Sequence, residues 1–280
     1  MLGLLYSLVS SLSYGAGYVV SKKIIKDNGL YRALVYACIG FTILLLLGAM
    51  IFEVPLVFPE ELYLPYFVQI FCGALGILAL FKAFEHGKAS IMASLSTVYV
   101  VIVFGIAMFF FNEPFSPLQI VGTFIILLSS LLIAFKNLKK HKLENGVLFL
   151  IATIFGWGYY YSFIKIFIPV LGVYGTTFFL EVGIGVLIML YALITKKSLR
   201  IPTFSESLGI GLRSCLIFLG SMFYTFSVAL IGVGLTSAFT SSSSIFTDIL
   251  SYFFLKEKLT PGKYLAMLSL IVGLVLVFLG

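Results

Sequence analysis

The sequence predicts an all-α integral membrane protein with ten transmembrane helices, arranged as two inverted repeats of five helices. Three observations lead to this prediction: the composition, the length of the apolar runs, and a sequence pattern that occurs twice. Of the 280 residues, 61% are hydrophobic and 10% are charged, with a mean hydropathy of +1.16. Because about 25% of the residues of a soluble domain are charged, this composition excludes the soluble classes.

Apolar runs follow one another with short breaks, and each is long enough to cross a bilayer, which takes about 20 residues. The predicted spans are 2–20, 33–52, 64–84, 89–111, 118–135, 146–168, 174–194, 206–229, 233–255 and 262–279. No basic residue precedes the first run, so we expect a retained span rather than a cleaved signal. A strongly basic break, KNLKKHKLEN at 136–145, separates five spans from five. We therefore expect one repeat at 1–138 and another at 143–280.

The net charge of +7 does not indicate a nucleic-acid partner, because the basic residues lie in short loops between apolar runs. Such residues set the orientation of spans in a bilayer, which is the expected partner. The three cysteines fall within apolar runs at wide spacings, where packing is their expected role: Cys38, Cys72 and Cys215. We expect neither a metal site nor a cofactor.

The repeated pattern first occurs at Phe109–Gly122 as FFFNEPFSPLQIVG, and again at Phe253–Ala266 as FFLKEKLTPGKYLA. In the first copy Glu113 ends an apolar run, and Ser116 and Pro117 begin the next one. The equivalent residues of the second copy are Glu257, Thr260 and Pro261. Serine or threonine before proline is typical of a helix start, because the hydroxyl caps free N–H groups and proline suits the first helical position. Each copy thus predicts a helix, a polar turn and a second helix, with both glutamates exposed as structural parts of the turn.

The first and sixth spans carry matching stripes at i+4 spacing, which places each stripe on one helix face. The two stripes are Ser10, Tyr14, Tyr18 and Lys22, and Thr153, Trp157, Tyr161 and Lys165. Two copies with an odd number of spans lie in the membrane with opposite orientations. Inverted repeats of this kind are characteristic of secondary transporters.

Basic residues follow the odd-numbered spans. The loop after the second span has no basic residue, and its charged residues are Glu53, Glu60 and Glu61. Because lysine and arginine are enriched in cytoplasmic loops, we expect the odd loops in the cytoplasm and both termini outside. This places the chain in the cytoplasmic membrane as a multi-pass protein.

The segment KAFEHGKASIMASLSTVYVVIVFGIAMFFFNEPFSPLQIVGTFII at 82–126, with a weaker copy from Val228 to Gly273, resembles the EamA type of the drug/metabolite transporter superfamily. Ala89, Ser90, Glu113 and Gly122 match the family pattern, whereas Ala266 replaces the corresponding glycine of the second copy. The resemblance implies two EamA repeats and transport of a small metabolite, with export of an amino acid or related compound as the first expectation.

Three ionisable residues fall inside predicted spans, where they indicate function by default: Glu181, Arg213 and Asp248. Arg213 and Asp248 each lie about 11 Å from the same end of their spans, at 1.5 Å rise per residue. We therefore expect an Arg213–Asp248 ion pair, which is either a static structural pair or a gate. Glu181 is a candidate proton-coupling residue, and Lys165 lies near enough along its span to reach toward it.

Thr236, Thr240, Ser244 and Asp248 form a polar stripe on the ninth span. These hydroxyls either bond to their own helix backbone or line a cavity, in which case Thr240 and Ser244 bind substrate.

Aromatic residues near the middle of their spans are candidate binding residues, as against interfacial anchors nearer the ends: Tyr14, Tyr99, Trp157 and Tyr161. Arg213 completes the predicted substrate site.

The leading hypothesis is a secondary active transporter, a monomer or homodimer, that moves a small molecule by alternating access. The alternatives are a channel, a non-transporting membrane protein and, least favoured, a membrane-embedded enzyme. An enzyme needs a nucleophile–base set or metal ligands, and we expect both histidines, His86 and His141, in loops. We therefore expect no enzymatic activity.

Overall fold

A computed structural model describes residues 1–54, 57–138, 144–258 and 261–280, and the regular elements in these ranges are helices. The α-helices are α1 (Leu2–Asn28), α2 (Leu30–Ile51), α3 (Tyr63–His86), α4 (Ala89–Ser96), α5 (Tyr99–Phe109), α6 (Pro117–Leu138), α7 (Glu144–Phe163), α8 (Ile168–Ile194), α9 (Phe204–Thr240), α10 (Ser243–Phe254) and α11 (Pro261–Leu279). Short 3₁₀ turns precede α3 at Glu60–Leu62 and α8 at Ile164–Ile166. His86 ends α3 rather than lying in a loop, and His141 is outside the described residues.

Six helical stretches of the described chain are long and apolar enough to cross a membrane. One of them, Phe204–Phe254, has 51 residues, and Gly232 inside it adopts non-helical angles of φ 79° and ψ 172°. At 1.5 Å per residue this stretch exceeds about 70 Å, more than twice the roughly 30 Å thickness of the hydrocarbon core. The all-helical membrane class is confirmed, while the number of ten spans stays a prediction.

An unusual backbone conformation, with positive φ, recurs at three pairs of equivalent positions in the two halves. The residues with positive φ form pairs 143 or 144 positions apart: Gly29 (78°) and Gly172 (66°), Glu53 (49°) and Lys196 (52°), and Asn112 (51°) and Lys256 (55°). Positive φ is uncommon for residues other than glycine, so its recurrence at equivalent places indicates a duplicated backbone. Gly232 adds a seventh such position without a counterpart, since Lys88 has a φ of −69°.

Helix packing follows the same duplication. Extensive contacts join α1 of the first half to α9 of the second, and α7 of the second half to α3 of the first. Two further pairs join equivalent helices of the two halves, α2 with α8 and α6 with α11, and α4 packs against α10 as α5 packs against α9. An approximate two-fold axis that exchanges α1 with α7 and α9 with α3 accounts for these pairings. The core therefore lies between the halves and is shared by both.

The fourth and ninth predicted spans are interrupted rather than continuous. The break between α4 and α5 lies at Thr97, and the break between α9 and α10 lies at Ser241, which is 144 residues later. Thr97 Oγ1 donates to the Ser94 carbonyl at 2.7 Å, and Ser241 Oγ donates to the Ala238 carbonyl at 2.6 Å. Hydroxyls that bond to the preceding turn bend helices and satisfy freed carbonyls. The serine-rich sequence thus explains both breaks.

Helices α6 and α11 cross at two glycines. A Cβ on Gly122 would lie 2.6 Å from the Gly273 carbonyl oxygen, and a Cβ on Gly273 would lie 2.7 Å from the Gly122 oxygen. Small residues allow this close approach. At the start of α6, Ser116 Oγ accepts from the Gln119 amide at 3.2 Å, which confirms the predicted cap. The equivalent Thr260 lies outside the described residues.

Candidate functional site

A small cavity of about 60 Å³ lies at the centre of the helices. Its lining residues come from α1, α2, α3, α7, α8 and α9: Tyr14, Tyr18, Cys38, Phe41, Gly73, Ile77, Trp157, Tyr160, Tyr161, Glu181, Ile184, Arg213, Ile217 and Ser221. Five of the nine predicted site residues meet here, namely Tyr14, Trp157, Tyr161, Glu181 and Arg213. The aromatic stripes of the first and sixth spans therefore face the same space.

The aromatic side chains form one connected cluster in the wall of this cavity. The Tyr18 ring stacks between Tyr14 and Trp157, with centroid distances of 6.4 and 6.2 Å. Trp157 meets Tyr161 edge-on at 5.9 Å. The rings of Tyr18, Trp157 and Tyr161 each contact at least two others, and such pairs favour stacked or edge-to-face geometry, which holds this wall in one arrangement.

Glu181 on α8 receives two hydrogen bonds at the cavity. Ser221 Oγ donates to its Oε1 at 2.8 Å, and the Tyr160 hydroxyl donates to the same oxygen at 3.3 Å. The Tyr14 hydroxyl bonds to Ser221 at 3.1 Å, so a chain of hydroxyls joins the first helix to the carboxylate. The Glu181 carboxylate is thus held by hydrogen bonds from neutral side chains and not by a neighbouring cation. Lys165, predicted to reach toward Glu181, pairs instead with Glu113 at 2.6 Å.

Arg213 on α9 lies across the same cavity and is 3% exposed. Its Nε donates to Ser21 Oγ at 2.8 Å, and its guanidinium carbon lies 4.8 Å from the centre of the Phe81 ring. The ion pairs in the described part of the chain do not join Arg213 to Glu181 within 4 Å. A buried cation and a partly buried carboxylate therefore face one cavity from different walls without forming an ion pair.

The predicted ion pair between Arg213 and Asp248 is wrong. Asp248 Oδ1 accepts from Lys263 Nζ at 2.9 Å, and the two side chains are 0% and 4% exposed. Lys263 Nζ also donates to Ser90 Oγ at 2.6 Å, while Asp248 Oδ2 is buried without a hydrogen-bond partner. Asp248 is turned toward Lys263 of α11, which also contacts Ser90 of α4, instead of toward the central cavity.

The prediction that Glu113 is exposed in its turn is wrong, because its side chain is only 9% exposed. Its two carboxylate oxygens accept from the amides of Val233 and Gly234 at 3.0 and 3.1 Å. These are the free N–H groups where helix resumes after Gly232, and a carboxylate there is favoured by the helix dipole. With Lys165, these residues form what we call the first latch: Glu113, Lys165, Val233 and Gly234.

Glu257 makes the equivalent contacts in the other half and is half-buried. It accepts from the amides of Ala89 and Ser90 at 3.0 and 3.3 Å, and from Ser90 Oγ at 2.5 Å. Glu257, Ala89 and Ser90 lie 144 residues from Glu113, Val233 and Gly234, respectively. The lysine contact differs, because Lys263 binds Ser90 here whereas Lys165 binds the glutamate in the first latch. We call Glu257, Ala89, Ser90 and Lys263 the second latch. Since the second latch binds the start of α4 and the first follows the end of α5, the two lie about 30 Å apart along this helix pair.

The remaining predicted binding residues do not line the central cavity. The Tyr99 ring lies behind the cavity wall, stacked on Tyr161 at 4.9 Å. Thr240 Oγ1 donates to the Thr236 carbonyl at 2.8 Å, and Ser244 Oγ donates to the Ser241 carbonyl at 3.0 Å. Both hydroxyls thus bond within their own segment, which was one of the two interpretations of the polar stripe.

Sequence reasoning missed the partners that hold the charged residues in place. Tyr160 and Ser221 are neutral residues outside the aromatic stripes, so no pattern singled them out beside Glu181. Lys263, at the start of the last predicted span, received no role in the predicted site, although it is only 3% exposed. The signal available for Lys263 was its place in the repeated pattern, two residues after Pro261.

A family model described as the EamA-like transporter family matches residues 1–135 and again residues 144–279. The chain belongs to the EamA-like transporter family. Two consecutive matches confirm the predicted pair of EamA repeats, and they identify this EamA protein as a membrane transporter.

Two further comparisons agree with the repeat and the fold. An uncharacterized protein of Methanocaldococcus jannaschii is 24% identical over 135 residues, which are 48% of this chain and 97% of that protein. That relative therefore corresponds to one half of the EamA protein described here. A crystal structure of another protein matches with a TM-score of 0.72 and 16% identity, covering 99% of this chain and 96% of that one. This likeness establishes the fold alone.

Proposed function

We propose that this EamA protein is a secondary active transporter of an amino acid or a related small metabolite in the cytoplasmic membrane, working in export by alternating access. The observation that carries the proposal is the pair of unneutralised opposite charges, Glu181 and Arg213, in one aromatic-lined cavity. Ten spans in two inverted halves provide the architecture, since carriers of this kind bind substrate where their repeats meet.

The chemistry of the cavity suits a small zwitterion. A guanidinium binds a carboxylate with charge-assisted hydrogen bonds, so Arg213 is the proposed site of the substrate carboxylate. The rings of Tyr14, Trp157 and Tyr161 offer apolar faces to the rest of the molecule, and to an ammonium group through cation–π attraction. Arg213 is buried without a carboxylate partner, which is costly, and the carboxylate of a bound zwitterion would remove that cost.

The small volume of the cavity is consistent with a conformation that is too narrow for a metabolite. Ligand pockets usually have about 300–1,000 Å³, whereas this cavity has about 60 Å³, which is room for a few water molecules. Both latches are formed, one at each end of the α4–α5 pair. We propose that substrate enters when one latch separates and leaves when the other does.

Glu181 is the proposed coupling residue. Its carboxylate faces the cavity and bonds to Ser221 and Tyr160, and both of these partners can reorient when the carboxylate takes up a proton. Protonation would remove a negative charge next to the substrate site. The affinity for a zwitterion or cation would then depend on the proton, which is the requirement for coupling.

Counterflow in proteoliposomes tests transport directly. Vesicles loaded with an unlabelled amino acid should accumulate the labelled compound above its equilibrium level, because a carrier exchanges substrate between the two sides. A channel would give simple equilibration, and an enzyme would give conversion of the compound. Absence of counterflow across a panel of amino acids and their derivatives would contradict the proposed substrate class.

Glu181→Gln should abolish uptake driven by a pH gradient but leave counterflow intact, because the amide keeps the hydrogen bonds and cannot titrate. The measurement is uptake of the identified substrate with and without an imposed gradient. Glu61→Gln is the matched control, since Glu61 is exposed outside the cavity and its variant should behave as the parent. Undiminished pH-driven uptake by Glu181→Gln would exclude Glu181 as the coupling residue.

A further inference from the structure

A second, larger cavity lies between the C-terminal part of α1, the N-terminal part of α9 and the C-terminal part of α10, with a volume of about 800 Å³. It narrows where the three helices meet at glycines. A Cβ on Gly17 would lie 2.8 Å from Ile217 Cδ1, and a Cβ on Gly15 would lie 2.6 Å from Phe246 Cβ. From this closed end the cavity continues as a groove along the C-terminal half of α1 toward Asn28.

The groove is apolar inside and polar at its mouth. Its inner walls are aliphatic: Val19, Val20, Leu212, Leu216 and Leu250. The polar lining residues cluster at the other end: Lys23, Asp27, Asn28, Ser205 and Glu206. From Ala16 to Asn28 the groove extends about 18 Å along α1, close to the roughly 15 Å depth of one leaflet's hydrocarbon. These dimensions fit an acyl chain of a lipid whose headgroup lies at the mouth.

Two opposite charges at the mouth are available to such a headgroup. Lys23 and Asp27 are one turn apart on α1, both exposed, and the ion pairs of the described residues do not join them. Lys23 lies deeper, toward the closed end, and Asp27 about 6 Å further out. In a phospholipid that ends in an amine, the phosphate is deeper and the ammonium further out. The order of charges on α1 therefore complements this headgroup.

Asn28 independently indicates that a hydrogen-bond donor is missing at the mouth of the groove. Its Oδ1 is buried without a hydrogen-bond partner, whereas its Nδ2 donates to the Ile24 carbonyl at 3.1 Å. A primary ammonium has three N–H donors, while a quaternary ammonium has none. Glu206, the other carboxylate at the mouth, is already neutralised by Arg32 at 2.5 Å. At the mouth, Lys23 thus offers a cation, Asp27 an anion and Asn28 a hydrogen-bond acceptor.

We propose that this groove binds one phospholipid with a phosphate and a primary ammonium in its headgroup, as in phosphatidylethanolamine. The phosphate binds Lys23, the ammonium binds Asp27 and Asn28, and an acyl chain fills the groove between α1, α9 and α10. This site is separate from the central cavity and does not depend on the transport proposal.

Native mass spectrometry of the purified protein tests the site. The protein is incubated with equal amounts of phosphatidylethanolamine, phosphatidylcholine and phosphatidylglycerol that have the same acyl chains. One phosphatidylethanolamine should be retained with about tenfold preference, the difference expected from one charge-assisted hydrogen bond. Leu212→Trp should reduce binding of all three lipids, because the indole occupies the groove.

Charge variants separate a specific site from the general lipid belt. Asp27→Asn should abolish the preference for phosphatidylethanolamine. Lys23→Gln should weaken the binding of all three lipids alike, since each has a phosphate. Lys26→Gln is the matched control, because Lys26 is exposed on the same helix and does not line the groove. Equal retention of the three lipids, or equal effects of Asp27→Asn and Lys26→Gln, would overturn the proposal. Because Asp27 is exposed, we expect Asp27→Asn to fold normally. The comparison of Asp27→Asn with Lys26→Gln therefore tests the site even if Leu212→Trp impairs folding.

Discussion

At the scale of single residues, the buried pair of Asp248 and Lys263 is the most consequential charge interaction. Both side chains are almost fully buried, and one carboxylate oxygen has no partner. Removing one member leaves an uncompensated charge, which typically costs about 3–5 kcal/mol, whereas replacing both is far less harmful. The first repeat has no such pair, because Phe104 and Gln119 occupy the equivalent positions.

Asp248→Asn and Lys263→Met should therefore each destabilise the protein by about 3–5 kcal/mol, and the double variant should lose less than the sum. Thermal unfolding of the purified variants in detergent measures the three losses. Lys258→Met is the control, because Lys258 is exposed near the same turn and its loss should be within about 0.5 kcal/mol. Additive losses in the double variant would show that the two residues do not depend on each other.

At the scale of elements, each latch joins a glutamate after one helix to the start of a helix from the other half. The contacts are reciprocal, since Glu113 of the first repeat binds Val233 of the second and Glu257 of the second binds Ala89 of the first. A carboxylate that caps a helix start in this way contributes about 1–2 kcal/mol. That is enough to shift an equilibrium between closed and open ends without unfolding either helix.

Glu113→Gln and Glu257→Gln should each open a different end of the central cavity, because an amide cannot accept from two N–H groups through both of its terminal atoms. Cys38 lines this cavity and serves as the reporter in a chain with Cys72→Ala and Cys215→Ala. An impermeant thiol reagent is applied to either face of the membrane. Labelling should rise about 5- to 30-fold, from opposite faces for the two variants.

The matched control for both latch variants is Glu61→Gln, which removes an exposed carboxylate outside either latch. It should leave the rate of Cys38 labelling unchanged. A rise from the same face for both latch variants, or no rise in either, would show that the latches do not gate the cavity.

At the scale of the whole molecule, the duplicated backbone and the exchanged helix pairs fit two halves related by an approximate two-fold axis. The positive-inside distribution of basic residues adds the expectation that this axis lies in the membrane plane. Equivalent loop positions would then face opposite sides of the membrane. We therefore expect the two latches to lie on opposite sides of the membrane.

A cysteine at Pro114 should react with an impermeant reagent in intact cells, and a cysteine at Lys258 should react only after permeabilisation. The two positions are 144 residues apart, and both are exposed. The native cysteines are first replaced by alanine, and labelling after full permeabilisation provides the control for reactivity. Labelling of both sites in intact cells would indicate parallel rather than inverted repeats.

The sequence alone was sufficient for the class, the duplication and the family. Apolar run length follows directly from bilayer thickness, so helices were predicted in the correct order, with ends displaced by several residues; α1, for example, extends to Asn28 instead of residue 20. The i+4 stripes also placed Tyr14 and Trp157 correctly on one face each, because helical periodicity is a local property.

Only the tertiary structure decided which charged residues meet. Periodicity gives the face on which a residue lies, but not which helix packs against that face or at what rotation. Asp248 therefore pairs with Lys263 instead of Arg213, and Glu113 binds amides 120 and 121 residues further along the chain. Each such contact depends on helix crossings set by the packing of the whole bundle, as at Gly122 and Gly273, and that information is distributed over both halves.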